Sequence, residues 1–383
     1  MGTPSHDNPL LRLAALGQSI WLDDLRRSWL EDGTLARLIA EDGLAGVTSN
    51  PAIFHKAIAE SCDYDAAIAT LAERGADASA IYENLVVEDV RHAADLLERI
   101  YKECSRRDGY VSLEVSPHLA HDTEATVSEA VRLWTRVDRP NLMIKVPGTR
   151  AGLPAIRRLI AAGINVNVTL LFSVARYREV ADAYVAGLEE YGAAGQPLDR
   201  IGSVASFFVS RIDTLIDGRL DQFDTALARA LRGQAAIACA RLAYQEYKTR
   251  VASPQWRELA ARGARPQRLL WASTGTKDGR YDDVKYVEAL IGPDTVNTVP
   301  FATLASFRDH GRPALRLEDE LDEARQVPRQ LARLGIELEP LTQQLEDEGV
   351  RKFIEPFDEL HATLGRRARA SKGAAAGEIE VRR

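Results

Sequence analysis

Cysteine is scarce in this 383-residue chain, with only Cys62, Cys104 and Cys239, odd in number and far apart. No CxxC pair exists, which excludes a disulfide framework or a zinc ribbon and leaves the three as small buried hydrophobes. No apolar run approaches the roughly 20 residues needed to cross a bilayer, so no membrane role is expected. The first ten residues lack the charged-then-apolar order of a signal peptide, and His6 stands where a myristoylation signal has Ser or Thr. A cytoplasmic location is the expectation. An excess of basic charge is also missing. The 49 Lys and Arg against 56 Asp and Glu leave a net charge of -7, which argues against a nucleic-acid partner. An anionic ligand must be met by a local group of cations. Lysine itself is rare, at 8 residues against 41 arginines. Where positive charge alone is needed, this chain uses Arg. A lysine within an apolar segment is then notable, because only Lys can become a neutral amine nucleophile near neutral pH.

The remainder is ordinary globular chemistry. Hydrophobic residues make up 45% and charged residues 27%, which excludes a largely disordered chain. Short β-branched segments alternate with amphipathic helical stretches. The pattern predicts eight strands, near 19–23, 46–48, 110–115, 141–146, 164–169, 202–207, 268–273 and 295–299. No GxGxxG follows the first of them, which weakens a dinucleotide-binding sheet. The fold predicted is a (β/α)8 TIM barrel. Asp122 opens one helix, with Val127, Val131 and Trp134 at helical spacing, and Gly163 and Gly192 sit where helix ends are expected. Two long intervals predict helical insertions, near 61–106 and 219–262. Further helices are expected over 317–367, with Pro328 and Pro340 as breakers. One domain is expected over 1–365, with 366–383 as a flexible tail.

In such barrels chemistry gathers where the strands end, at their C-terminal mouth. Here those ends are unusually polar: Asp23; Thr48, Ser49 and Asn50; Glu114; Lys145; Asn167 and Thr169; Ser206, with Arg211 beyond; Ser273 and Thr274. One such residue could simply cap a helix, but seven ends together point to a site. Lys145 interrupts Asn141-Leu-Met-Ile-Lys-Val-Pro, otherwise a buried strand. A free lysine amine has a pKa of about 10.4, and desolvation disfavours its charged form and frees a nucleophile. A structural ion pair is the bland reading of Lys145. A pyridoxal phosphate lysine is another, although no Gly-rich phosphate cup is evident. An amine that forms an imine with a ketone needs carboxylates to move protons, and Asp23 and Glu114 supply them. Asn50, Asn167, Thr169 and Ser206 suit a polyhydroxylated substrate, and Arg211 suits phosphate. The constellation describes a Schiff-base lyase or transferase acting on a phosphorylated sugar.

Five segments carry a family likeness: Gly46-Val-Thr-Ser-Asn-Pro, Val111-Ser-Leu-Glu-Val-Ser, Asn141-Leu-Met-Ile-Lys-Val-Pro, Asn165-Val-Asn-Val-Thr-Leu-Leu-Phe-Ser and Ser206-Phe-Phe-Val-Ser-Arg. In that order, and with Trp271-Ala-Ser-Thr-Gly-Thr-Lys, the chain resembles transaldolase in its longer bacterial form, from about Ser19 to Gly311. The resemblance implies a class I mechanism of the pentose phosphate pathway, without metal or cofactor, in a monomer or homodimer. A dihydroxyacetone unit would pass through Lys145 from sedoheptulose 7-phosphate or fructose 6-phosphate to glyceraldehyde 3-phosphate or erythrose 4-phosphate. It implies Asp23, rather than its neighbour Asp24, as acid and base at the cleaved bond, and Glu114 with Thr169 as the pair positioning a proton-carrying water. Thr48, Asn50, Asn167 and Ser206 would surround the dihydroxyacetone part, and Arg211 would bind phosphate. Shorter relatives carry a second phosphate-binding Arg after the seventh strand. Here Ser273 and Lys277 are the candidates to replace it.

Three rivals remain. Fructose 6-phosphate aldolases share barrel and lysine, but tend to carry Gln at the place of Glu114 and Tyr at that of Phe208. A silent sugar-phosphate binder would lack the lysine or the carboxylates. A metal enzyme built on His118 and His121 with Asp122 lacks a third ligand at fixed spacing.

Overall fold

A computed structural model describes residues 8–381 of the chain, the side chains of 372–381 excepted. Eight parallel strands close into a barrel in chain order: β1 (Gln18–Leu22), β2 (Gly46–Thr48), β3 (Tyr110–Glu114), β4 (Leu142–Pro147), β5 (Val166–Leu171), β6 (Ser203–Phe208), β7 (Arg268–Ala272) and β8 (Thr295–Val299). Every strand residue is buried. One side packs the barrel interior and the other packs the helices, which is why these segments read as nearly continuous apolar runs. All eight lie within two residues of the sequence expectation. The helical insertions are present as well, the first holding Asp65–Glu73 and Ala78–Glu103. The second holds Ala226–Leu231, Ala235–Val251 and Pro254–Ala261.

Registry decides which residues meet inside. Glu114 pairs with Lys145 across β3 and β4, and Lys145 with Asn167 across β4 and β5. Paired residues of parallel neighbours share a face, and residues two apart on one strand share it too. Ser112, Glu114, Lys145, Asn167 and Thr169 therefore all point into the barrel.

Several local expectations are corrected. The helix Thr123–Val137 starts at its Asp122 cap as predicted, but buries Thr126, Ala130, Leu133 and Val137. Val131 is 41% exposed. Val127 and Trp134 flank the buried stripe, because small Thr and Ala allow the closer approach. Gly163, at φ +83°, does follow a helix end, whereas Gly192 lies inside the helix Val174–Ala193 and the chain turns at Gly195, φ +75°. A Cβ at Gly192 would meet the Arg262 guanidinium, the end of a flexible side chain. Pro328 lies within the helix Leu321–Arg333 and breaks nothing. Pro340 sits in the first turn of Leu338–Val381, where its missing N–H has no helical partner to lose. The backbone of the expected tail is helical from Arg366 to Val381, in keeping with the helix preference of Ala and Arg. Residues 382 and 383 lie outside the described residues. Of the cysteines only Cys239 is buried; Cys104 is half-buried at a helix end and Cys62 is exposed. Among the described residues no helix is long and apolar enough to cross a membrane.

At the N-terminal end of the barrel Asp108 anchors a buried polar network. Asp108 accepts from Ser19 Oγ at 2.7 Å, Trp21 Nε1 at 3.0 Å and Arg268 Nη2 at 2.9 Å. It thereby ties β1 to β7. Asp108→Ala leaves the buried Arg268 charge without its carboxylate, so the substitution is expected to cost about 3 kcal/mol. Urea unfolding measures this, and a change under about 0.5 kcal/mol, the range of a surface substitution, contradicts the assignment.

Candidate active site

The C-terminal mouth holds buried polar atoms in place without partners. Lys145 is 4% exposed, and its Nζ donates to Ser49 O at 3.1 Å and lies 3.5 Å from Glu114 Oε2. Neither Glu114 oxygen has a hydrogen-bond partner, nor does Thr169 Oγ1. Buried polar atoms of native proteins normally find partners, so such a cluster marks a place that water or substrate completes. Burial pushes the Glu114 carboxyl up to about 7, against the opposing pull of Lys145. A carboxyl with its midpoint near neutrality can both accept and donate a proton at physiological pH.

Asp23 follows β1, anchored by its backbone N–H to Val299 O at 2.8 Å. Thr48 Oγ1 lies 2.7 Å from both Asp23 Oδ1 and Thr298 Oγ1. Asp24 turns away and pairs with Arg26 at 2.7 Å. Alternation along the strand thus selects Asp23, as expected. Desolvation raises its carboxyl above the ordinary range, while Lys145 and the Thr48 hydrogen bond oppose the rise.

A cavity of about 190 Å³ opens on this group. Nine of the twelve residues singled out from sequence line it: Asp23, Thr48, Asn50, Lys145, Ser206, Phe208, Arg211, Ser273 and Lys277. Asn50 spends Oδ1 on the N–H of Ile53 at the start of the following helix, leaving its Nδ2 for the cavity. Asn167 does not line the wall. Its Nδ2 donates to Ser112 Oγ at 3.0 Å and its Oδ1 accepts from Ser206 Oγ at 2.7 Å. These bonds orient Ser206 and leave Asn167 one amide hydrogen and one oxygen lone pair. Glu114 and Thr169 are likewise absent from the wall and are buried beneath the mouth.

The cationic end lies at β6 and β7. Arg211, in the first turn of the helix Ser210–Leu220, places Cζ 5.1 Å from the Phe208 ring centroid. Its Nη1 is buried without a partner, and burial lowers its pKa. Ser210 and Ser273 hydroxyls lie 3.0 Å apart, with Ser273 held at φ +55°. Lys277 is exposed at the rim. A buried fork, two hydroxyls and a mobile-chain ammonium suit a phosphate group. His118, the residue that raised a metal reading, pairs with Asp358 at 2.7 Å.

The structure also brings in residues that the sequence reading missed. Thr298 and Pro300 extend the β8 side of the wall. The strand-end rule, applied to Thr295–Val299, would have found Thr298. Phe353 comes from the long C-terminal helix, with its ring centroid 5.6 Å from Lys145 Nζ and 6.0 Å from Arg211 Cζ. No local motif announces it. A larger cavity, about 540 Å³, lies outside the barrel against the helices Ala78–Glu103 and Thr123–Val137. No lysine lines it, and its one arginine, Arg132, is paired with Glu83.

The family model described as Transaldolase/Fructose-6-phosphate aldolase matches residues 20–364. A protein of Thiobacillus denitrificans named Transaldolase is 51% identical over 92% of this chain and 98% of its own length. Transaldolase of Saccharopolyspora erythraea is 51% identical over 92% of the chain and 95% of its own length. Transaldolase 2 of a Nostoc species is 48% identical, covering 93% and 97% respectively.

The raised Glu114 carboxyl has a measurable consequence. Because the folded state holds this proton more tightly than the unfolded chain, its contribution to stability is full below about pH 4.5 and is lost as pH rises through about 7. Infrared difference spectra are expected to show a protonated carboxyl band disappearing with a midpoint near pH 7, absent in Glu114→Gln. A band titrating near 4.5 contradicts the burial argument.

Proposed function

The chain belongs to the transaldolase/fructose-6-phosphate aldolase family and is an enzyme of the transaldolase type, and from that premise we propose how its own residues carry the reaction. The substrates proposed are fructose 6-phosphate or sedoheptulose 7-phosphate as donor and erythrose 4-phosphate or glyceraldehyde 3-phosphate as acceptor. The observation that carries the reading is a buried Lys145 flanked by two carboxyls of raised pKa at the barrel mouth.

Lys145 Nζ attacks the donor ketone carbon, and the carbinolamine loses water to give an imine. Glu114 and Thr169, unpartnered beside the amine, hold and protonate the water that leaves. Asp23 takes the proton of the hydroxyl next to the scissile bond. The carbon–carbon electron pair flows into the iminium, and an aldose phosphate departs. A three-carbon eneamine remains on Lys145. The acceptor aldehyde carbon takes that electron pair, its oxygen takes the proton from Asp23, and hydrolysis of the new imine frees the product. The electron sink is the iminium itself. Ser206, steadied by Asn167, meets the hydroxyls with Asn50. Arg211, Ser273 and Lys277 hold phosphate, Lys277 as a point charge. Such a reaction belongs to the pentose phosphate pathway.

A fructose 6-phosphate aldolase would release the three-carbon unit without an acceptor. Glu114 and the hydroxyl-free ring of Phe208 favour transfer. With fructose 6-phosphate alone, turnover is expected to be slight, and adding erythrose 4-phosphate is expected to raise it strongly in a coupled assay for glyceraldehyde 3-phosphate. Turnover independent of the acceptor contradicts the proposal. Lys145→Arg, unable to present a neutral amine, is expected to lose at least about a thousandfold in kcat, as Lys145→Ala does. Retained activity in either excludes the imine.

A further inference from the structure

The C-terminal helix Leu338–Val381 crosses the barrel mouth and delivers Phe353 to the site. Its position is fixed on three sides. Glu346 pairs with Arg176 at 3.2 Å, both side chains less than a tenth exposed. Arg367 donates to the carbonyls of Ile58 and Ala59, each at 2.9 Å. Between these anchors, Gly349 lets the helix settle on β5. A Cβ there would lie 2.9 Å from Leu170 Cδ2. Leu170 itself stands at φ +62°, where the pairing of β5 with β6 shifts register. Gly349 and Phe353 are four residues apart and share one helix face. The close approach at Gly349 is what lowers the Phe353 ring toward Lys145.

On the transaldolase reading above, we infer that Phe353 shields the lysine-bound three-carbon intermediate from water and sets the ratio of transfer to release. The two fates differ in what they consume. In transfer, the eneamine carbon bonds to the acceptor aldehyde carbon, and the aldehyde oxygen takes a proton. In release, the eneamine carbon takes a proton, water adds to the iminium carbon, and the C–N bond breaks. The amine then takes a proton, and free dihydroxyacetone departs. Only release needs water at the iminium before an acceptor arrives. The ring is 3% exposed and lies 5.6 Å from the amine, filling the solvent side of Lys145 with an apolar surface. Its face also suits the cationic iminium, since the distance is within cation–π range. Phe208 stands across Arg211 from Phe353, so the cationic end of the cavity lies between two rings.

The test uses the full-length enzyme and two assays, free dihydroxyacetone from fructose 6-phosphate and transfer to erythrose 4-phosphate. Phe353→Ala is expected to raise the ratio of release to transfer by at least about tenfold, the scale of losing a water-excluding contact. Phe353→Leu, which keeps an apolar cover, is expected to restore it to near the wild-type ratio. Gly349→Val keeps the phenyl side chain but lifts the helix that carries it away from Lys145, and is expected to move the ratio in the same direction. It keeps the inference testable if Phe353→Ala fails to fold by circular dichroism. A ratio unchanged in Phe353→Ala or in Gly349→Val, whatever happens to the two rates together, overturns the inference. Absence of transfer by the wild-type enzyme would instead sink the reading of the reaction.

Discussion

One amine held out of water at the centre of a closed barrel is the constraint on which this molecule turns. Removing a cationic group from solvent costs several kcal/mol unless partners compensate. Lys145 is met by the Ser49 carbonyl, Glu114 and the Phe353 ring. Those partners come from three different segments: the β2 loop, β3 and the C-terminal helix. Only a fold that converges strand ends on one point can assemble such a set. The compensation is incomplete by design of the site: Glu114, Thr169 and Arg211 retain buried atoms without partners.

At the N-terminal end of the barrel several strand openings are stitched, although Gln18 Oε1, Gln267 Oε1 and Asn141 Oδ1 stay without partners. Asp108 joins Ser19, Trp21 and Arg268, Gln18 reaches Leu290 O and Thr295, and Gln267 reaches Ser203. Buried atoms without partners occur at both ends; those at the mouth belong to Glu114, Thr169 and Arg211, the groups gathered around Lys145 and the cavity. The C-terminal helix then closes the reactive end, which places Phe353 among the groups that touch the cavity without taking part in proton transfer.

Much of this was legible in the sequence because it is local. Eight β-branched segments with polar last residues specify both the barrel and the ring of side chains at its mouth. Strand alternation allowed only one of Asp23 and Asp24 to face inward, and the family resemblance pointed to Asp23. What residue type alone did not reveal is that the Asn167 amide also bonds Ser112 on β3 and Ser206 on β6. Contacts of that kind depend on exact registry. Phe353 was illegible for a stronger reason. Its place depends on a helix distant in sequence, whose approach is set by Gly349 against Leu170. No periodicity carries that information. Val131 and Gly192 were misread because packing against neighbouring helices, not the helix's own pattern, chose the buried face.

The central claim is that Lys145 becomes covalently bonded to the substrate, and trapping tests it most directly. The full-length protein is incubated with fructose 6-phosphate, reduced with borohydride and digested, and adducts are mapped by mass spectrometry. The account predicts a reduced three-carbon addition on the peptide containing Lys145, absent in Lys145→Ala. A stable adduct on any other lysine, or none on folded protein that turns over its substrate, contradicts it.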